Sequence, residues 1–220
     1  MPRALFEKTG NAVYISHLDL MRLFQRAFKR AGLPLTHTKG FNPRPSVSIA
    51  LPLSLGVESG CELLDFDLEG ECPVSGEEIT ARLNDALVDG VRVLGVYDDM
   101  RKLKHLALLD CTVTLEYDRG IPADAVQRIG DLFAQQEIIV EKKGKNGPTE
   151  QNIAPMIRRL IVQAVGTQEI VLRALVCCQN PTLNPMQLGA AIEKYLPDLT
   201  PDFVRCRREE IYDTDEMIFR

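Results

Sequence analysis

RALFEKTGNAVYISHLDLMRLFQRAFKRAGLPLTHT, residues 3–38, sets out a strand, a capped helix and a second strand in that order. Residues 3–8 read as a strand, and the run extends toward Tyr14. Ser16 stands as an N-cap with Asp19 three residues later, a variant of the capping box, and Gly32 followed by Pro34 ends a helix predicted over 17–31. On that helix Leu20, Phe24, Ala27, Phe28 and Ala31 share one face, while Arg22, Arg26, Lys29 and Arg30 form a stripe almost opposite. One face is built to pack and the other to recognise. Residues 33–37 then read as a short strand.

The same grammar continues outward. Strands are predicted near 46–52 and 61–69, a helix over 76–88 opened by Ser75, Glu77 and Glu78 and closed before Gly90, and a strand over 91–97. A charged connector, DDMRKLKHL, fills 98–106, after which the order begins again. LALLDCTVTLEY (106–117) reads as a strand, IPADAVQRIGDLFAQQ as a helix with Pro122 near its first turn, and EIIVEKK as a strand. Residues 144–155 read as a loop, MIRRLIVQAV and EIVLRALVCC as a hairpin, 184–196 as a helix capped by Asn184, and DFVRCRREEIYD as a last strand. Both halves thus read roughly β-α-β-β-α-β. The predicted fold class is α+β, two tandem ferredoxin-like (βαββαβ) subdomains with antiparallel sheets, one over 1–100 and one over 106–220. No repeat is visible residue by residue, and one larger α+β sheet is the rival arrangement.

Composition narrows the functional classes. With 220 residues, 45% of them hydrophobic, the chain can bury a core, and no apolar run reaches the length of a membrane span or a signal peptide, so a cytoplasmic protein is expected. The six cysteines (Cys61, Cys72, Cys111, Cys177, Cys178 and Cys206) are scattered without C-x-x-C spacing, which points to buried, reduced thiols. A three-cysteine cluster motif is also missing, so the chain is not expected to hold an iron–sulfur cluster in that way, and no cofactor or metal is expected. P-loop, dinucleotide-binding and nucleophile-elbow motifs are absent too.

The net charge of -5 conceals segregation. Residues 1–50 carry eight Lys and Arg against two acids, a net of +6, whereas residues 58–100 carry twelve acids against Arg82 and Arg92, a net of -10. Phosphate recognition depends on the local field, within about 10 Å at ordinary salt, so the basic segment matters more than the overall balance. The alternative is that the acidic segment folds back and neutralises it.

The candidate anion site joins the helix stripe to the loop KGFNPRPS, residues 39–46. Pro43 and Pro45 fix the backbone on either side of Arg44, Phe41 offers a stacking surface, and Lys39 and Asn42 add donors. A second basic group, Lys142, Lys143 and Lys145, precedes Arg158 and Arg159; it reads equally as a backbone clamp or as an exposed tip kept soluble. His17 projects toward the edge of the apolar face and reads as a capping or core-edge residue, while His37 and His105 lack metal-ligand partners at recognisable spacing. Asp65, Asp67 and Glu69 alternate with Leu64, Phe66 and Leu68, a solvent-facing strand edge more readily than a Mg²⁺ site.

YISHLDLMRLFQRAFKRAGLPL and GFNPRPSVSIALPLSLGVES, within residues 14–60, resemble the radical-SAM-linked (radical-SAM-associated) bacterial protein family, a domain of unknown function found alone or fused behind a B12-binding-type radical SAM enzyme. Weaker echoes are the basic stretch before Ile153 and the LNP at 183–185. The family's loop more often carries histidine and lysine where Arg44 and Ser46 stand here, a departure that weakens any proposal of a catalytic histidine in the loop while Arg44 keeps its anion-binding capacity. The resemblance implies a radical SAM partner and, from gene neighbourhoods with ribonuclease G/E and ribosomal proteins, a setting in RNA or ribosome biology. The expected function is a non-catalytic accessory module that binds RNA or presents substrate to that partner, with Arg22, Arg26, Lys29, Arg30, Lys39, Phe41, Asn42, Arg44, Lys142, Lys143 and Lys145 as the binding residues. Two alternatives are a metal-independent endoribonuclease using His17 or His37, by analogy with tandem ferredoxin-like CRISPR RNA-processing proteins, and a protein-only adaptor of the radical SAM enzyme.

Overall fold

The computed structural model describes residues 2–70, 74–98, 101–144 and 147–220, residues 143 and 144 by their backbone alone. It is a mixed α+β structure with mostly antiparallel pairing and, among the described residues, four α-helices. Two compact units comprise Met1–His105 with Arg220, and Leu106–Phe219. No helix among the described residues is long and apolar enough to cross a membrane.

The first unit runs β1 (Pro2–Lys8), α1 (His17–Arg30), β2 (Val47–Ile49), β3 (Glu58–Phe66), α2 (Gly76–Ala86) and β4 (Val91–Asp98). Its strands lie in the order β4-β1-β3-β2, with every neighbouring pair antiparallel. Helix α1 begins as its sequence dictates: the Ser16 hydroxyl accepts from the Asp19 N–H at 3.2 Å. Its apolar face seats two rings on the sheet, Phe24 against Phe6 with centroids 4.8 Å apart and Phe28 against Phe66 at 4.9 Å. Such pairs add about 0.5–1.5 kcal/mol each beyond the apolar area they remove from water. Leu20, Leu33, Leu64, Ile79 and Leu83 complete this core. Asn84 of α2 ties the helix to β4 by bonding both backbone groups of Val93, at 2.8 and 2.9 Å.

Three local expectations for this unit need correction. The first strand does not run on toward Tyr14: Gly10 takes φ +55°, and Gly10–Tyr14 coil into a 3-10 turn. The ammonium of Lys8, 1% exposed, holds that turn by donating to the Val13 and Ile15 carbonyls at 3.1 and 2.9 Å. Burial lowers the pKa of Lys8, and the charge of buried Glu62 opposes that shift. Residues 33–37 are not a strand but contribute isolated bridges, Leu35 to Leu68 and His37 to Pro45; Pro34, without an N–H, cannot extend a ladder. The next strand is shortened to Val47–Ile49, because Leu51 adopts φ +48° and Pro52 follows.

The second unit runs β5 (Leu108–Glu116), α3 (Ala125–Phe133), β6 (Ile139–Gly144), β7 (Gly147–Asn152), β8 (Ile157–Val165), β9 (Glu169–Cys177), α4 (Met186–Tyr195) and β10 (Phe203–Tyr212). The sheet order is β10-β5-β9-β8, and β6 pairs with β7 in a separate ribbon. Val113, Leu115, Ile129, Leu172, Leu188 and Ile192 are fully buried here. The helix expected from Pro122 starts only at Ala125, since Asp124 takes φ +59° and interrupts the chain between them. Asn184 lies one residue before the cap position, Pro185, and its side chain accepts from the Met186 N–H at 3.2 Å. Part of the loop expected over 144–155 is β7. GPTEQN has no period-two apolar pattern because its order comes from backbone pairing with β6, not from a buried face. The ribbon's base is anchored by the Tyr195 hydroxyl, which accepts from the Ile139 N–H at 2.9 Å, and by Asn152, whose side-chain oxygen accepts from the Ile138 N–H at 2.9 Å.

Lys8 is the most exposed of these arrangements to a single change. Lys8→Met strips the buried Val13 and Ile15 carbonyls of their charged donor, so unfolding in urea should show a loss of about 1–3 kcal/mol. Adding Glu62→Gln to that variant should recover part of the loss, a non-additivity that a double-mutant cycle reads directly.

Candidate functional site

Rotation of α1 about its axis is fixed by Phe24 and Phe28, which leaves Arg22, Arg26, Lys29 and Arg30 exposed in a row. The four are not equivalent. Arg22 pairs with Asp19 at 2.9 Å, and Asp19 is held below the usual carboxylate range first by the Ser16 hydroxyl, which donates to it at 2.7 Å, and then by Arg22. Arg30 turns toward α2 and donates to the Ala86 carbonyl, satisfying one of the carbonyls left open at the end of that helix. Arg26 and Lys29 remain directed to solvent.

The loop after α1 is a narrow hairpin with its own pairing. Ser46 N–H donates to the Thr36 carbonyl at 2.7 Å, Thr38 N–H to the Arg44 carbonyl at 2.8 Å, and Arg44 N–H to the Thr38 hydroxyl at 3.0 Å. Its base is stitched to the segment after β3: Thr36 N–H donates to the Asp67 carbonyl at 2.9 Å, Asp67 N–H to the Ser46 carbonyl at 3.1 Å, and Glu69 N–H to the Pro34 carbonyl at 2.8 Å. The prolines therefore frame an arginine whose backbone is pinned on both sides. At the tip Lys39, Phe41 and Asn42 are exposed, Phe41 fully so.

Below the hairpin, where α1 ends, lies a cavity of about 440 Å³ whose lining includes Gln25, Phe28, Lys29, His37, Pro45 and Glu69. The cavity brings Lys29 of the stripe and the foot of the hairpin together. That Gln25 and Glu69 line one cavity escapes sequence reasoning, because Glu69 is brought there by the Pro34–Glu69 and Leu35–Leu68 pairings, contacts with no periodic signature. The three alternating carboxylates do not converge: Asp65 accepts two bonds from Arg3 at 2.6 and 3.1 Å, Asp67 accepts from the Thr36 hydroxyl at 3.0 Å, and Glu69 faces His37 at 3.6 Å. No group of three His, Cys, Asp or Glu suited to a metal ion occurs among the described residues.

Two of the eight cations counted in residues 1–50 are not on the surface. Arg3 is 3% exposed and Lys8 1%, so the exposed field belongs to Arg22, Arg26, Lys29, Arg30, Lys39 and Arg44. The acidic segment does not pair with the stripe in the ion pairs seen among the described residues; its partners there include Arg3, His37 and Arg82. His17, half-buried, is the first residue of α1. In the second unit Lys142 is exposed on β6, Lys143 continues that strand, and Lys145 lies outside the described residues. Arg158 and Arg159 are exposed at the start of β8, where Arg159 lies 3.7 Å from Glu216.

Residues 2–185 match a family of uncharacterised proteins conserved in bacteria, DUF2344. The chain belongs to that family. No curated protein matches this member's sequence. In fold it is similar to a chain in the crystal structure of a Cbf5–Nop10–Gar1 complex, with a TM-score of 0.53 at 9% identity over 96% of this chain. The DUF2344 chain spans only 48% of that one. A crystal structure of an unknown protein from Galdieria sulphuraria aligns over 94% of this chain and 96% of that one, at 11% identity and a TM-score of 0.27.

The described thiols of this family member lie in its interior. Its five described cysteines are buried and unbridged, and burial pushes Cys178 and Cys206 up to about 12 and Cys111 higher still. Since the thiolate is the reacting form, iodoacetamide at mildly alkaline pH should leave Cys111, Cys178 and Cys206 unmodified in the folded protein and alkylate all three after urea unfolding, as read by peptide mass spectrometry.

Proposed function

We propose that this chain is a non-catalytic accessory module that binds RNA, or presents an RNA substrate, to a radical SAM partner enzyme in RNA modification or ribosome biology. The observation that carries the RNA-binding part is the hairpin that pins Arg44 beside a helix whose outward face is cationic. Guanidinium groups bond phosphate oxygens in pairs, and a backbone already ordered before binding loses little entropy on contact. Phe41 at the tip supplies a ring for an unpaired base, and Arg26, Lys29, Lys39 and Arg44 supply phosphate contacts. Arg22 joins them by exchanging its surface partner Asp19 for a phosphate; an exposed pair of that kind is worth about 0.2–1 kcal/mol. Arg30 is assigned mainly to α2.

In this reading the fold is two ferredoxin-like units in tandem. Support comes from the element order β-α-β-β-α-β and the strand order β4-β1-β3-β2 in the first, and from β10-β5-β9-β8, with the β6–β7 ribbon as an insertion, in the second. The ribbon's Lys142, with Lys143 and Lys145 following it in sequence, is a secondary contact for the same backbone. The radical SAM partner is inferred from the resemblance carried by residues 14–60, and the partner, not this chain, would hold the cluster.

Anisotropy titrations with a structured RNA should show affinity falling steeply with salt. In the triple variant Arg22→Ala/Arg26→Ala/Arg44→Ala, binding should be nearly lost and the log–log salt slope shallower by about 2, near 0.7 for each phosphate contact removed. The RNA should be recovered intact; cleavage that vanishes in His37→Ala would replace this reading with the nuclease one.

A further inference from the structure

Resting on the RNA-binding reading, we propose that the cavity at the end of α1 receives one unstacked guanine base of the bound RNA, so that a surface otherwise selective only for phosphate gains a base-selective element. Its size, about 440 Å³, falls among ligand pockets, and its walls are of two kinds. Phe28, Leu33 and Leu35 are buried and form an apolar floor, with the rigid rings of Pro34 and Pro45 beside them. Gln25, Lys29, His37 and Glu69 bring polar groups to the same space.

That combination excludes the simpler occupants. A phosphate would leave the apolar floor unused, and an aliphatic group would take Gln25 and Glu69 from water while offering them no hydrogen bond. A flat heteroaromatic ring uses both, its face on Pro34 and Pro45 above the buried floor and its edge on the amide and carboxylate. Glu69 then selects among bases, because an ionised carboxylate only accepts, and guanine presents two adjacent N–H donors on its Watson–Crick edge. Gln25 offers both a donor and an acceptor to the remaining edge. Lys29 belongs to the stripe and to the cavity at once, so a nucleotide whose phosphate meets the stripe has its base within reach of the floor. The hairpin's stitching to residues 67 and 69 holds the cavity open before binding.

The test uses three oligouridine RNAs alike except at one central position, which carries guanine, uracil or an abasic site, titrated by anisotropy into the full chain and into Glu69→Gln. Glu69 is 56% exposed in its side chain, so the variant keeps the fold, and its affinity for the abasic oligomer reports on that. The expected result is guanine preferred over the abasic site by roughly tenfold. In Glu69→Gln that preference should fall to within about twofold, with binding of the abasic oligomer and its salt slope preserved. Equal, salt-sensitive binding of all three oligomers by the unmodified chain would overturn the base site while leaving the phosphate surface standing. Unchanged guanine preference in Glu69→Gln would overturn the assignment of Glu69, and binding of none would overturn both readings. Guanosine 5′-monophosphate as competitor distinguishes the two sources of guanine. Displacement only in large excess is expected, whereas displacement at concentrations comparable to the oligomer would assign the cavity to a free nucleotide.

Discussion

The contact of Phe24 and Phe28 with Phe6 and Phe66 sets the angle at which α1 lies on its sheet, and most of what the first unit presents follows from it. A helix held by two rings one turn apart cannot roll. The residues opposite those rings must therefore face outward, and the chain leaving the helix at Gly32 must pass beside Phe28, with Leu33 driven into the core. That placement positions the hairpin of residues 36–46 next to Lys29 and encloses the cavity between them. A core contact thus determines which cations reach solvent and where a ligand can lie.

Helix α1 was legible because three independent signals agree on it: the Ser16 cap, the apolar spacing and the Gly32 stop. The long strands β3, β5, β8 and β9 were legible from apolar content, and the alternation of helices with strands sufficed for a mixed α+β class. What the sequence hid has a common physical origin. β7 and the hairpin over 36–46 are ordered by backbone pairing and hydroxyl contacts, which impose no pattern on side chains. The positive φ values at Leu51 and Asp124, where glycine is the usual signal, shortened one strand and delayed one helix.

Charge is the clearest case of a correct count with an incomplete meaning. Segregation of bases into residues 1–50 is a fact of the sequence, yet Arg3 and Lys8 are spent inside the fold, on Asp65 and on the carbonyls of the 3-10 turn. Arg30 is directed to the end of α2. The residue types of β1 give no warning of this, because a long cationic side chain can lie along an apolar interior and end on oxygen. The candidate site was accordingly legible as a set of cations and illegible as a cavity, since the segment carrying Glu69 is brought beside the end of α1 by pairings between distant segments.

The β6–β7 ribbon has a consequence for how such a chain can diverge. Its pairing runs through the main chain from Ile139–Asn152 to Gly144–Gly147, and its described outward side chains contribute little to any core. Substitutions at its exposed positions carry small penalties in stability, unlike those at buried Val140 or on the packed face of α1. Related chains can thus retune charge and reach along the ribbon, residue by residue, without renegotiating the interior of either unit.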